Sequence, residues 1–201
     1  IAGDLTGERA AEDLVEQVAA RWERLDILIN NAGYGAIEPL LSSTRTSWER
    51  TFAINVVALA MLSFAVGRRM KGAGSGRIVN ITSPASRMAL PNYATYAASK
   101  AAVDSITRST AVALAPFGVL VNSVAPGMMD THMQRSTEAE LARIEGRVDI
   151  PAFLAERTAR IPLGRRAEIA EIAGAVVWMA LDAPAYMVSE RLNMSGGLDR
   201  D

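Results

Sequence analysis

Tyr96 and Lys100 stand four residues apart in the run Tyr96-Ala97-Ala98-Ser99-Lys100. On a helix that spacing stacks a phenol and an ammonium on one face. A free tyrosine ionises at about pH 10, too high for a base at neutral pH. A fixed positive charge beside it favours the phenolate and brings proton transfer into a useful range. The pair by itself is not distinctive, because solvated helix faces carry many such spacings. Ser83 sharpens it. It follows directly on the apolar run Arg77–Thr82, so it sits at a strand's carboxyl end, where open α/β sheets bind ligands. A hydroxyl there can hydrogen-bond a substrate oxygen as charge develops on it; equally, it can be a turn residue before Pro84. Asn55 interrupts Phe52–Leu59, the most apolar part of its helix. Asparagine competes for backbone groups inside helices, and if buried its amide must find partners. It reads either as a helix-distorting structural residue or as a third member of the site.

Composition removes other chemistries. The chain has 201 residues, 50% of them apolar and 21% charged, which suits one globular domain. With 21 basic and 22 acidic side chains the net charge is −1. Nucleic-acid and membrane surfaces, which need concentrated basic patches, are therefore not expected as partners. There is no cysteine, so disulfides and thiolate catalysis are excluded, and a reducing, cytoplasmic setting is expected. The one histidine, His132, leaves a Ser-His-Asp triad or a His-rich metal site without members, so no metal is expected. Ile1–Ala11 is polar and lacks the apolar core of a signal peptide. The apolar stretch Phe52–Val66 is short for a membrane span and reads as a core helix.

The elements that must position these residues alternate between two periods. Leu25–Asn30, Arg77–Thr82 and Val119–Val124 are short, nearly continuous apolar runs, as in parallel strands covered on both faces; Arg191–Met194 is a weaker fourth. Between them lie helical segments. Glu8–Arg24 carries a stripe of Ala11, Leu14, Val18 and Trp22. Ser47–Met70 opens with a Thr46-x-x-Glu49 capping box. Thr95–Ala115 is closed by Pro116 and Gly118, and Ala167–Leu181 carries Ile169, Ile172, Val176 and Met179. Strands alternating with helices predict an α/β doubly wound parallel sheet. Residues 128–166 break the rhythm, with one short helix near Thr137 and Glu140, Gly146 after it and an irregular remainder containing Pro151 and Pro162. An excursion just after a strand end is where a substrate lid belongs. Met128, Met129 and Met133 at its start read either as flexible packing or as an adaptable apolar substrate wall.

Taken together, Asp4-Leu5, Asn30-Asn31-Ala32-Gly33, Asn55-Val56, Ser83, Tyr96 to Lys100, Asn122 to Gly127 with Thr131, and Gly196-Gly197 resemble the short-chain dehydrogenase/reductase superfamily. That superfamily includes 3-oxoacyl-carrier-protein reductases and many sugar and polyol dehydrogenases. The resemblance runs almost end to end and implies a single Rossmann-like domain over residues 1–201. It implies an enzyme that interconverts an alcohol and a ketone with NAD or NADP, the hydride chemistry belonging to the cofactor. Tyr96 would exchange the proton on the substrate oxygen. Lys100 would lower the phenol's pKa and hold the nicotinamide ribose. Ser83 would orient the substrate oxygen, and Asn55 would hold a water of a proton relay. Asp4 and Leu5 would meet the adenine, Asn31, Ala32 and Gly33 would run beside the adenosine side, and Pro126, Gly127, Met129 and Thr131 would cradle the nicotinamide end. The long helices Ser47–Met70 and Thr95–Ala115 would form homodimer or homotetramer interfaces.

One part of the family pattern has no counterpart. The family opens with a strand, a Gly-rich turn and a helix whose N-terminus holds the pyrophosphate. Gly72, Gly74 and Gly76 instead follow a helix and precede a strand, and read as a loop. The resemblance implies that Ile1–Asp4 ends the third strand and that the first two strands, about fifty residues and rather more than a βαβ unit, are missing from this chain. In the 3-2-1-4-5-6 order those strands lie between strands three and four. Ala2–Leu5 should then lack a neighbour, and Leu25–Asn30 should present a bare edge. Weak dinucleotide binding is expected, which a fluorescence titration giving micromolar affinity would refute. The side chain that separates NAD from NADP follows the second strand, so cofactor preference is unreadable. A competing expectation is an inactive fragment or binding module of the same fold. A hydrolase is not expected, because Ser83 has no histidine to activate it.

Overall fold

The structure, a computed structural model, describes residues 1–199. Four strands form one parallel sheet in the order β1 (Ile27–Asn30), β2 (Gly76–Ile81), β3 (Val119–Pro126), β4 (Arg191–Met194). All four were legible as apolar runs. Ile1–Asp4 joins no ladder, and β1 is an edge whose Ile29 is 41% exposed.

Side chains alternate across the sheet, so each strand feeds two cores. On one face Ile78, Val119 and Val121 pack under α1 (Ala10–Arg21), α3 (Leu59–Ala73) and α4 (Ala94–Leu114), through Ala11, Val15, Leu62, Val66, Met70 and Ala111. On the other, Val79 and Val124 pack under Met179 and Ala180 of α7 (Ile169–Leu181). Helices on both faces explain why the strands are apolar throughout.

Helix boundaries depart from the sequence pattern at informative places. The helix leading to the core begins as α2 (Arg45–Phe52), and its cap is Thr44, whose Oγ1 accepts from the Ser47 amide at 3.2 Å. Thr46 lies inside the helix, and Glu49 pairs with Arg45 instead of closing a capping box. Between α2 and α3 the chain widens into a π-helical stretch, Ala53–Ala58, centred on the region of Asn55. The whole span Arg45–Ala73 is long and apolar enough to cross a membrane, and 56% of its most apolar window is buried in the fold. In α1, Trp22 is 53% exposed and lies past the helix end, off the buried stripe. At the start of α7, Ile169 is likewise exposed, and Glu168 forms the cap.

Residues 128–166 are not mostly irregular. They form α5 (His132–Ile144), capped by Thr131, and α6 (Ile150–Ala159), capped by Asp149. Thr137 is an interior residue of α5 bonded back to the Gln134 carbonyl. Pro151 does not disrupt α6, because it falls in the first turn, where no amide hydrogen is needed. Leu141, Ala142 and Phe153 make a third small core with Ile37 and Tyr93. Glu138, 3% exposed, binds both Arg166 (2.9 Å) and Arg157 (3.1 Å), which staples α5 to α6 and to the loop beyond.

Candidate active site

Polar side chains begin where the apolar sheet ends. Asn30 and Asn80 are paired in register near the carboxyl ends of β1 and β2. The Asn30 amide donates to Asn80 Oδ1 and Ser63 Oγ, both at 2.8 Å, and Asn80 donates to Thr107 Oγ1 at 2.9 Å. These buried amides are satisfied, so they fix the adjacent ends of β1 and β2 to each other and to the helices behind them.

Ser83 leaves β2 in an extended conformation and caps a short 3-10 turn, Pro84–Arg87, its Oγ accepting from the Ala85 amide at 3.2 Å. Its hydroxyl also lies close enough to the phenol of Tyr96, in the first turn of α4, to favour the phenolate. Lys100, one turn on, is 5% exposed; its Nζ donates to the Ile81 carbonyl at 2.8 Å and lies 5.7 Å from the centre of the Tyr96 ring. The three side chains therefore converge at the end of β2.

The electrostatics correct one expectation. The Tyr96 phenol is pushed up, not down, because burial penalises the phenolate more than the Ser83 hydroxyl favours it, and Tyr93 adds to the rise. Lys100 is pushed down to about 8, again by burial, with Asp104 opposing. Both buried groups are driven toward neutrality, and the ammonium faces a carbonyl oxygen.

Asn55 is 1% exposed. Its Oδ1 accepts from the Tyr34 amide at 2.7 Å, while its Nδ2 donates to the Tyr34 carbonyl at 2.8 Å and to Ser99 Oγ at 2.9 Å. Ser99 in turn donates to the Tyr96 carbonyl at 2.7 Å. Asn55 thus clamps the loop after β1 and links it to the first turn of α4. Both readings of this residue meet here: it distorts its helix, and it belongs to the cluster. Gly33 lies beside this contact: a Cβ there would sit in ordinary van der Waals reach of Asn55 Oδ1 and Lys100 Nζ, at 3.6 and 3.8 Å. Asn31 and Ala32 precede it on the exposed rim.

Pro126 ends β3. The Gly127 amide donates to the Met194 carbonyl at 3.0 Å, and a Cβ on Gly127 would lie 2.8 Å from Ser195 Cα, so only glycine permits this approach. Met129 bridges to Ala167, and Thr131 uses its hydroxyl to cap α5, accepting from the Gln134 amide at 3.1 Å. Met133 rests near Gly35 in the loop after β1. Asp4 and Leu5 lie elsewhere. Asp4 turns its carboxylate onto Thr6, which lowers its pKa, and with Leu5 it lines a cleft of about 470 Å3 against α1.

Sequence reasoning missed Ser99 as the link between Asn55 and Tyr96, although it stands inside the Tyr96–Lys100 run. It also missed Tyr93, one turn before Tyr96, whose hydroxyl lies 3.4 Å from Arg157 Nη2. The i, i+3 spacing of the two tyrosines was the available signal.

The enoyl-(acyl carrier protein) reductase model of the short-chain alcohol dehydrogenases matches residues 1–199. A sorbitol dehydrogenase from Cereibacter sphaeroides is 34% identical over 200 residues, covering 98% of this chain and 77% of that protein. The crystal structure of an NAD+-bound xylitol dehydrogenase superposes with a TM-score of 0.93 at 31% identity, over 98% of this chain and 78% of its own. A gluconate 5-dehydrogenase from Burkholderia cenocepacia, crystallised with NADP and tartrate, gives 0.88 at 31% identity, over 98% and 73%. Together with the Rossmann-like sheet, these matches place the chain in the short-chain dehydrogenase/reductase superfamily, a family of NAD- or NADP-dependent oxidoreductases.

Proposed function

We propose that this protein interconverts a small secondary alcohol and the corresponding ketone, with Tyr96 as general acid/base. The observation that carries the reading is the convergence of Ser83, Tyr96 and Lys100 at the carboxyl end of β2, with Lys100 Nζ on the Ile81 carbonyl and 5.7 Å from the centre of the Tyr96 ring. A substrate oxygen placed against this pair receives a hydrogen bond from Ser83 and exchanges its proton with the phenol. In reduction the Tyr96 phenol gives its proton to the nascent alkoxide; in oxidation its phenolate, formed by prior loss of that proton, takes the hydroxyl proton as the carbinol hydrogen departs as hydride.

NAD or NADP supplies the hydride acceptor or donor. The donor chemistry present fits such a ligand: a buried cation, Lys100 Nζ, stands at the strand end within reach of the Gly33 backbone. Asn31, Ala32 and Gly33 on one rim and Pro126, Gly127, Met129 and Thr131 on the other would flank it, with Asp4 and Leu5 toward the adenine. Lys100 would hold the nicotinamide ribose and, in its charged form, would offset a phenolate. Asn55 acts by position, since its amide is committed to Tyr34 and Ser99.

Residues 128–166 are assigned as the substrate lid, because α5 and α6 pack on Ile37, in the loop after β1, and on Tyr93, one turn before Tyr96. The exposed apolar residues Val57, Met61, Phe64 and Val112 on the long helices suit a homodimer or homotetramer. The test is Tyr96→Phe in the full-length protein, assayed with sorbitol and cyclopentanol and either nicotinamide dinucleotide. Loss of the hydroxyl should lower kcat at least a thousandfold, within the range of general acid/base contributions when Ser83 also loses its partner. Dinucleotide affinity should stay within about twofold. A variant that turns over near the wild-type rate sinks the assignment.

A further inference from the structure

Arg191 opens β4 with its side chain 9% exposed, and its Nη2 donates to the Ser83 carbonyl at 3.1 Å. The same nitrogen lies 3.2 Å from Oδ2 of Asp199, whose side chain is 2% exposed. On its other side Nε faces Asp104 Oδ1 at 3.7 Å, an ion pair too long for a hydrogen bond. Neither of those two atoms has a hydrogen-bond partner. Asp104 stands one helical turn beyond Lys100, and its Oδ2 accepts from Ser86 Oγ at 2.6 Å.

The short turn that carries Ser83 is thus tied at both ends, through the Ser83 carbonyl to β4 and through Ser86 to α4. Gly196 and Gly197, at φ 64° and 86°, fold the chain after β4 back on itself, which lets Asp199 reach Arg191. Burying a guanidinium with two carboxylates is weak as a device for stability, since well-packed apolar residues often serve as well. What this one grips is the peptide that aims Ser83. Holding that carbonyl fixes the peptide plane after Ser83, and the Ala85 amide already occupies Oγ as an acceptor. The hydroxyl proton is then left to turn toward the Tyr96 side of the cluster, where Ser83 favours the phenolate.

We propose that Arg191 is a positioning residue for the reaction, holding the Ser83 peptide in place between Asp104 and Asp199 without touching substrate or cofactor. The inference rests on the reading of Ser83 and Tyr96 as the reacting pair.

Two variants of the full-length protein test it. Arg191→Lys keeps the buried charge but replaces the planar fork with a point donor. Arg191→Met combined with Asp104→Asn removes one charge of each sign at similar volume. Each is compared with the wild type for melting temperature, dinucleotide Kd by fluorescence titration, and kcat and KM with whichever of sorbitol or cyclopentanol is turned over faster. The expected result is folded protein, Kd and KM within threefold, and kcat lower by tenfold or more in both. A smaller fall in kcat in either folded variant overturns the proposal. Failure of both to fold, or a parallel loss of dinucleotide affinity, also overturns it, because Arg191 then serves the fold. Tyr96→Phe runs alongside. If it remains active the catalytic reading itself fails, whereas an inactive Tyr96→Phe beside a fully active Arg191→Lys removes only the role of Arg191.

Discussion

Burial moves Tyr96 and Lys100 in opposite directions on the pH scale, and both movements disfavour charge. For Lys100 this has a measurable sign. Its folded pKa of about 8 lies below the ordinary value of 10.5, so between those limits the unfolded chain binds more protons than the folded one. Stability contributed by this group therefore rises with pH across that window and is lowest below it. Lys100→Met removes the effect. The difference in unfolding free energy, wild type minus variant, should increase steadily from pH 7 to pH 10, as followed by urea denaturation at each pH. A flat difference would mean that the ammonium is better solvated or paired than its position implies. Tyr96 and Lys100 were recognisable only in the company of Ser83 and the other motifs, since their spacing by itself is not distinctive. The rise of the phenol's pKa was not, because desolvation is a property of the surroundings and no surroundings are written in a four-residue interval.

At the scale of elements, the strands could be read directly, whereas helix details followed side-chain competition. Thr44 caps α2 ahead of Thr46, and α6 forms where Asp149 caps and Pro151 occupies the first turn. That second signature was present in the sequence, hidden by the general rule that proline breaks helices. Ser189 shows the reverse. It is the one non-glycine residue among those described with positive φ, 68°, and its amide donates to the Val121 carbonyl at 2.9 Å. The strain arises in the turn between α7 and β4. Left-handed backbone costs a residue with a Cβ roughly 1–2 kcal/mol. Ser189→Gly should recover about 1 kcal/mol, read as a higher urea midpoint with an unchanged m-value. An unchanged midpoint would place compensating contacts on the serine hydroxyl.

Across the whole molecule, the sheet is held by two apolar cores, while the segment over its carboxyl end is held by a small core and one buried carboxylate. Glu138 carries the ionic part of that attachment through Arg157 and Arg166, and its pKa is lowered: burial opposes ionisation, but hydrogen bonds from those arginines and from Gln134 outweigh it. Breaking a buried ion pair by removing one partner costs about 3–5 kcal/mol. Glu138→Gln should weaken the segment by about 3 kcal/mol. Hydrogen exchange should then quicken in α5 and α6 while the β2 and β3 amides keep their protection. Uniform quickening through the sheet would show instead that the segment and sheet open as one unit.

The sequence by itself determined the alternation of strands and helices, and it placed Asn55, Ser83, Tyr96 and Lys100 at positions where chemistry could occur. Period and spacing are local properties, and they survive in a string of residues. Tertiary structure decided the rest. It brought Asn55 through Ser99 to Tyr96, set Gly33 against Lys100, and drew Arg191, Asp104 and Asp199 beneath Ser83 from three separate elements. It also separated Asp4 and Leu5 from that group, along the α1 cleft. Hydrogen bonds and charges act over a few ångströms of space, whatever the distance along the chain, so only the folded molecule determines which of them meet.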